Sequence, residues 1–261
     1  MIDNPVLFWS LALFATFLVG ASKGGLPMVG VLAVPVMSLV MSPVVAAGLL
    51  LPIYIVSDMY GLWLYRQNYS LLNIKIIVPA ALLGILFGWA AASHTNEHVV
   101  KLIVAVIGLL YCFDAVLKPR RVIAAKPADI PRGIFWGSLA GFTSFVSHAG
   151  GPPYQMYVLP QKLDKMTYAG TSTIIFAIIN LLKLPPYVAL GQVNVGSLET
   201  CVILAPVSLV GAWIGFKGTK VLPEKLFFRV VEVALFVLSL MLLWDVWNWY
   251  TMSCGWAGTA C

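Results

Sequence analysis

The residues best suited to chemistry surround two glycine pairs. Gly24-Gly25-Leu26-Pro27 follows Lys23, and 126 residues later Gly150-Gly151-Pro152-Pro153 stands just after Ser147 and His148. Glycine permits positive φ and the close approach of a ligand, and proline favours the first turn of a new helix. A helix beginning near Pro27 or Pro153 directs unpaired N–H groups and the positive end of its dipole at the break, which makes an anion site from backbone. The other reading is a tight turn whose glycines serve helix packing, but two such turns in matched places favour binding. Gln155, Ser144 and Thr143 are hydrogen-bonding candidates beside the second turn.

The elements that hold these turns are membrane helices. Of 261 residues, 61% are apolar and 10% charged, against about 25% charged in soluble domains. That excludes a soluble fold, a disordered chain and collagen. A helix needs about 20 apolar residues to cross the hydrocarbon core. Apolar runs of this kind cover 5–22, 28–41, 44–65, 74–93, 99–117, 132–149, 165–190, 197–216 and 226–249, with polar breaks too short to fold as domains. The stretch from Pro5 to Gly20 lacks the basic start and cleavage site of a signal peptide. The fold class is therefore an all-α polytopic membrane protein.

Further matches mark an internal repeat. Pro79, Gly84, Gly88 and Glu97 recur as Pro206, Gly211, Gly215 and Glu224, and Ala47-Gly48 recurs as Ala169-Gly170. The reading is a first membrane repeat over 1–117, a basic cytoplasmic linker over 118–131, a second repeat over 132–250 and an extracytoplasmic tail over 251–261. If each broken run turns back as a re-entrant hairpin, every repeat has three full crossings and the second is inverted. Thirteen of the 16 Lys and Arg then share one side, with Lys101 and Lys183 opposite and Lys23 at the hairpin tip. If the broken runs cross, the split is 8 against 7, so only the inverted arrangement obeys the positive-inside rule. Trp63 and Trp136 then mark the inner boundary, and Trp9, Trp244, Trp247 and Trp249 the outer one. The first arm, at about 25 Å, nearly fills the core, so it must tilt or break early, near Gly20 for instance. The excess of positive charge is an orientation signal, and nucleic-acid binding is excluded.

Few polar residues lie inside the crossings. Lys23 is either functional, because a buried lysine is costly, or snorkels from a helix end. His148 is either a ligand or a packing residue. Asp58, whose repeat partner is Asn180, is either a coupling group for protons or a carboxylate hydrogen-bonded within the bundle. Cys112 and Cys201 read as packing residues, while Cys254 and Cys261 could pair only in an oxidising compartment. No P-loop, H-E-x-x-H or G-x-S-x-G is present, and adjacent Ser147 and His148 do not face one another on a helix, so no enzyme is expected. No cofactor or metal is expected either.

The G-x-x-K-G-G-L-P of Gly20 to Pro27 and the G-F-x-S-x-x-x-x-x-G-G-P-P of Gly141 to Pro153 resemble the sulfite exporter TauE/SafE family, also described as the toluene sulfonate uptake permease family. The likeness covers nearly the whole chain. It implies a multi-pass transporter of the bacterial inner membrane that carries sulfite, sulfoacetate or other organosulfonates, with substrate near Lys23, Gly24, Gly25, His148, Gly150 and Gly151. Pro152-Pro153 departs from the single proline of the first half. The expected partners are a small anion and bilayer lipid, with proton coupling and a homodimer left open. A carboxylate permease, an anion channel and a membrane scaffold are the competing readings.

Overall fold

The computed structural model describes residues 5–92, 97–117 and 125–254. In the first half, α1 (Pro5–Lys23) meets the glycine turn, then come two short helices, α2 (Pro27–Val31) and α3 (Ala33–Met37). Three long helices follow: α4 (Pro43–Leu64), α5 (Leu71–Ala90) and α6 (Glu97–Leu117). The second half repeats this order with α7 (Ile130–Ser147), α8 (Gly151–Val158) and a single 3₁₀ turn, then α9 (Lys165–Ala189), α10 (Val195–Val221) and α11 (Glu224–Cys254). Helices α1, α4, α5, α9, α10 and α11 are long and apolar enough to cross a membrane. No strand occurs among the described residues. Residues 118–124 of the expected linker, residues 255–261 of the tail and the Cys254 side chain lie outside the described residues.

Short polar side chains set the helix starts. Ser42 and Ser70 accept from the backbone of Val45 and Asn73, and Asp129 and Asp164 do the same for α7 and α9. Asn194 and Ser197 form a reciprocal capping box at α10. Each satisfies an N–H group that the first helical turn would otherwise leave unpaired.

Glycine decides which helices touch. In α10, Gly211 and Gly215 lie against the backbone of Phe17 and Ala21 in α1, while Gly20 lies against the Ser208 carbonyl. The α5–α7 contact is built alike, from Gly84 against Ser138 and Gly141 against Ala81. Small residues four apart let backbones approach closely where no hydrophobic effect drives helices together. Gly20 therefore marks close packing, and α1 continues unbroken to Lys23, so of the two options left open by the sequence the early break is not the one taken.

The two broken segments fold back. Helices α2 and α3 both pack along α1, and α8 packs along α7. The Tyr157 hydroxyl donates to the Asp129 carbonyl (3.0 Å), and the Lys126 amide donates to Pro160 (3.0 Å). The segment Ile130–Gln161 thus begins and ends on one side. Direction also follows from contacts. Helices α1 and α10 run parallel, as do α5 and α7. By contrast α4 and α9 are antiparallel, since Asp58 meets Asn180 and Gly61 meets Thr173. Helices α6 and α11 are antiparallel too, joined by Lys101–Asp245 (2.6 Å) and by Gly108 against Ser239.

Candidate functional site

The first hairpin tip is tied down by its carbonyls. Gly25 has φ +113°, which any side chain would strain. This lets the chain turn so that the Gly24 carbonyl accepts from both the Tyr65 hydroxyl (2.6 Å) and Thr219 Oγ1 (3.1 Å), while Thr173 Oγ1 donates to the Lys23 carbonyl (3.2 Å). Thus fixed, Lys23 is buried. Its Nζ lies 2.8 Å from Asp58 Oδ1 and 5.0 Å from the centre of the Tyr54 ring. The other carboxylate oxygen of Asp58 accepts from Asn180 Nδ2 at 2.7 Å.

The second tip is held by side chains. His148 takes the left-handed conformation (φ 52°), and its amide closes α7 on Ser144. The imidazole stacks on Tyr54, with ring centres 5.2 Å apart. Its Nδ1 lies 3.3 Å from Lys183 Nζ and its Nε2 3.3 Å from the Tyr187 hydroxyl. Lys183 Nζ also reaches the Ser144 carbonyl (3.1 Å) and hydroxyl (3.2 Å), and the Tyr187 hydroxyl donates to the Phe145 carbonyl (2.7 Å). Tyr54 links the two tips, because its own hydroxyl donates to Gly30 of α2 at 2.6 Å.

Between the tips is a cavity of about 40 Å³. One water needs about 10–15 Å³ on this measure, so the space suits an ion or molecule of a few heavy atoms. Lys23, Pro27 and Gly30 line it from the first hairpin, and Ser144, His148 and Gly151 from the second. Tyr54 of α4 and Ser172, Thr173, Phe176 and Asn180 of α9 complete the wall. Lys23 and Lys183 against Asp58 leave one formal positive charge in this buried region. No group of three or more His, Cys, Asp or Glu that could hold a metal occurs among the described residues.

Of the residues anticipated from sequence, Lys23, His148, Gly151 and Asn180 reach the cavity wall. Asp58 sits one hydrogen bond behind it, on Lys23 and Asn180. Gly24, Gly25 and Gly150 pack elsewhere: the first two against α4 and α10, and Gly150 against Ala140, Ser144 and Phe176. Ser147 spends its hydroxyl on the Thr143 carbonyl (3.2 Å). Gln155 is fully buried, and neither of its amide atoms has a hydrogen-bond partner. Helix α8 begins at Gly151, two residues before Pro153, so prolines occupy its second and third positions and remove two N–H groups. The break thus presents fewer free backbone N–H groups than expected from the sequence.

Lys183 is a correction. Charge counting put it at the far surface, whereas it is fully buried beside Ser144 and His148. Tyr54, Tyr187, Ser172 and Thr173 were also missed. A signal existed: Tyr54, Asp58, Gly61 and Tyr65 recur 122 residues later as Phe176, Asn180, Lys183 and Tyr187. Spacings of four, three and four put each set on one helix face.

Six helices long and apolar enough to cross a membrane, packed around a small cavity with buried charged side chains beside it, define a multi-pass membrane protein. The family model described as Sulfite exporter TauE/SafE matches residues 12–242, and the chain belongs to that family. Membership implies a membrane transporter of sulfite or related sulfur-containing anions. No curated protein and no solved structure matches the chain.

Proposed function

We propose that the protein is a secondary transporter, an exporter, of small sulfur-containing anions such as sulfite or organosulfonates, and that the anion binds in the cavity between the two hairpin tips. The observation that carries this reading is a small cavity between the tips with two buried lysines and one buried carboxylate about it. A sulfonate or sulfite offers several acceptor oxygens to Lys23, Asn180 and Ser172. Channels select with rings of charge along a continuous pore, and no such ring lines this cavity, whose wall has Lys23 as its one lysine.

Antiparallel α4 and α9, and antiparallel α6 and α11, support two inverted repeats. Alternating access in such proteins is rocking of one unit against another around a fixed site. The moving units in this reading are the hairpins with α4 and α9, which carry Asp58 and Asn180, and Asp58 is the group through which protons would couple. The orientation places the N-terminus and the tail outside the cytoplasm of a bacterial inner membrane. Its support is the gathering of basic ends on one side: Lys165 Nζ caps α10 on Lys220 O (2.8 Å), and Lys217 stacks on Trp213 (4.1 Å).

The test is a thermal-shift series on purified protein with sulfite, methanesulfonate, acetate and simple cations. A ligand that binds only the folded state raises the melting temperature with concentration. Stabilisation by sulfite or methanesulfonate and not by cations is expected. Stabilisation by a cation alone would sink the proposal.

A further inference from the structure

Lys183 is the cation that the sequence reading misplaced, and its surroundings fix the charge of the site. Nζ has three acceptors in reach: the Ser144 carbonyl at 3.1 Å, the Ser144 hydroxyl at 3.2 Å and His148 Nδ1 at 3.3 Å. Taken as an ammonium, Lys183 finds an acceptor for each of its three hydrogens. The Tyr187 hydroxyl has one hydrogen, which goes to the Phe145 carbonyl at 2.7 Å. With Nδ1 accepting from the Lys183 ammonium, the one hydrogen of a neutral ring falls to Nε2, 3.3 Å from the Tyr187 oxygen, and His148 also bonds the backbone of Ala47. One donating and one accepting nitrogen describe a neutral imidazole.

The remaining charges are few. Lys23 and Asp58 form an ion pair at 2.8 Å and cancel. Tyr54 and Tyr187 are phenols, and α2 (Pro27–Val31) and α8 (Gly151–Val158) contain no ionisable side chain other than the phenols of Tyr154 and Tyr157. The stretch of α10 beside the first tip brings Gly215 and Thr219. Among the described residues, no carboxylate bonds Lys183. Its two partners, Ser144 and His148, belong to the cavity wall, so its charge acts on the cavity from one residue behind.

From this juxtaposition we infer that the site selects its ligand by charge: it takes a monoanion as it stands, and takes a dianion only together with one proton, carried on the Asp58 carboxylate. The inference rests on the anion-transport reading and specifies its substrate class as organosulfonates and hydrogensulfite over sulfate and fully ionised sulfite. A monoanion neutralises the single positive charge supplied by Lys183. A dianion would leave a buried negative charge, which a low-dielectric interior penalises heavily. Protonation of Asp58, forming one O–H bond on the carboxylate, removes that excess. Lys183 is thus a positioning residue that acts through Ser144 and His148, and Asp58 sets which charge state is admitted.

Methanesulfonate and sulfate test this well, since they share shape and differ in charge. Binding is measured by calorimetry on purified full-length protein. The wild type should bind methanesulfonate at least about tenfold tighter than sulfate. Its affinity for methanesulfonate should be flat with pH, while that for sulfate should strengthen by about tenfold for each unit of acidification, the slope of one linked proton. Asp58→Asn should abolish the sulfate slope and bring sulfate level with or ahead of methanesulfonate. Lys183→Met should weaken methanesulfonate by more than about tenfold, and Lys183→Arg should restore part of that loss. Should the Asp58 variant fail to fold, the wild-type slopes decide alone. Equal affinity for both anions, or a sulfate slope of zero, overturns the inference while leaving the anion reading standing. Failure of methanesulfonate, sulfite and sulfate all to bind overturns both.

Discussion

Lys23 and Asp58 meet at 2.8 Å, tying the tip of the first hairpin to the interior of α4. Both side chains are almost completely withdrawn from solvent. Asn180 of the second half holds the same carboxylate at 2.7 Å, so one acidic group joins the broken first segment to the two long helices beside it. Any movement of the hairpin relative to α4 must part or carry this pair.

Breaking the pair from one side leaves an uncompensated buried charge. Asp58→Ala or Lys23→Ala should each cost about 3–5 kcal/mol, and the double variant should cost clearly less than the two together. Denaturant or thermal unfolding of the three variants in one detergent checks this.

The Gly24 carbonyl has two donors, Tyr65 and Thr219. Removing one, by Tyr65→Phe or Thr219→Val, should cost about 0.5–1.5 kcal/mol. Removing both strands a buried carbonyl, so the double variant should lose more than the sum of the singles. A double-mutant cycle read from melting curves measures the excess.

Two helical glycines should respond oppositely to alanine. A Cβ on Gly84 would run into the Ser138 carbonyl, whereas one on Gly218 meets nothing within 4 Å. Gly84→Ala should destabilise by about 1–3 kcal/mol through overpacking. Gly218→Ala should be neutral or stabilise by up to about 1 kcal/mol, from the better helix propensity of alanine. Parallel melts of the two variants separate these effects.

Ser172 lines the cavity and is buried. Ser172→Leu adds two heavy atoms beside a space of about 40 Å³. The stabilisation of the protein by sulfite or methanesulfonate should disappear, while the unliganded melting temperature shifts far less than in Asp58→Ala. Retained anion stabilisation would place the ligand elsewhere.

Much was legible in the chain itself. Too little charge for a soluble surface and the length of the apolar runs determined a bundle of membrane helices, because hydrocarbon tolerates only backbone that satisfies its own hydrogen bonds. The two glycine pairs marked where that backbone breaks, and a constant offset of 122 residues matched Asp58 to Asn180. What only the tertiary structure decided is how those breaks are used. Counting charges treats each crossing as a rod with its polar residues near its ends. Helix α9, however, has 25 residues, about 37 Å at 1.5 Å per residue. That exceeds the hydrocarbon thickness of about 30 Å by only about 7 Å, so Lys183, six residues or about 9 Å from the helix end, is not carried clear of the core. Its partners Ser144 and His148 are 39 and 35 residues away and belong to α7 and its cap. In the same way, Gly25 makes the turn legible in the sequence, but only the packing shows that carbonyl and hydroxyl groups of Tyr65 and α10 press on Gly24 and Gly25. Spacing along one helix determines which residues share a face; only the packing of helices from both halves decides what that face meets.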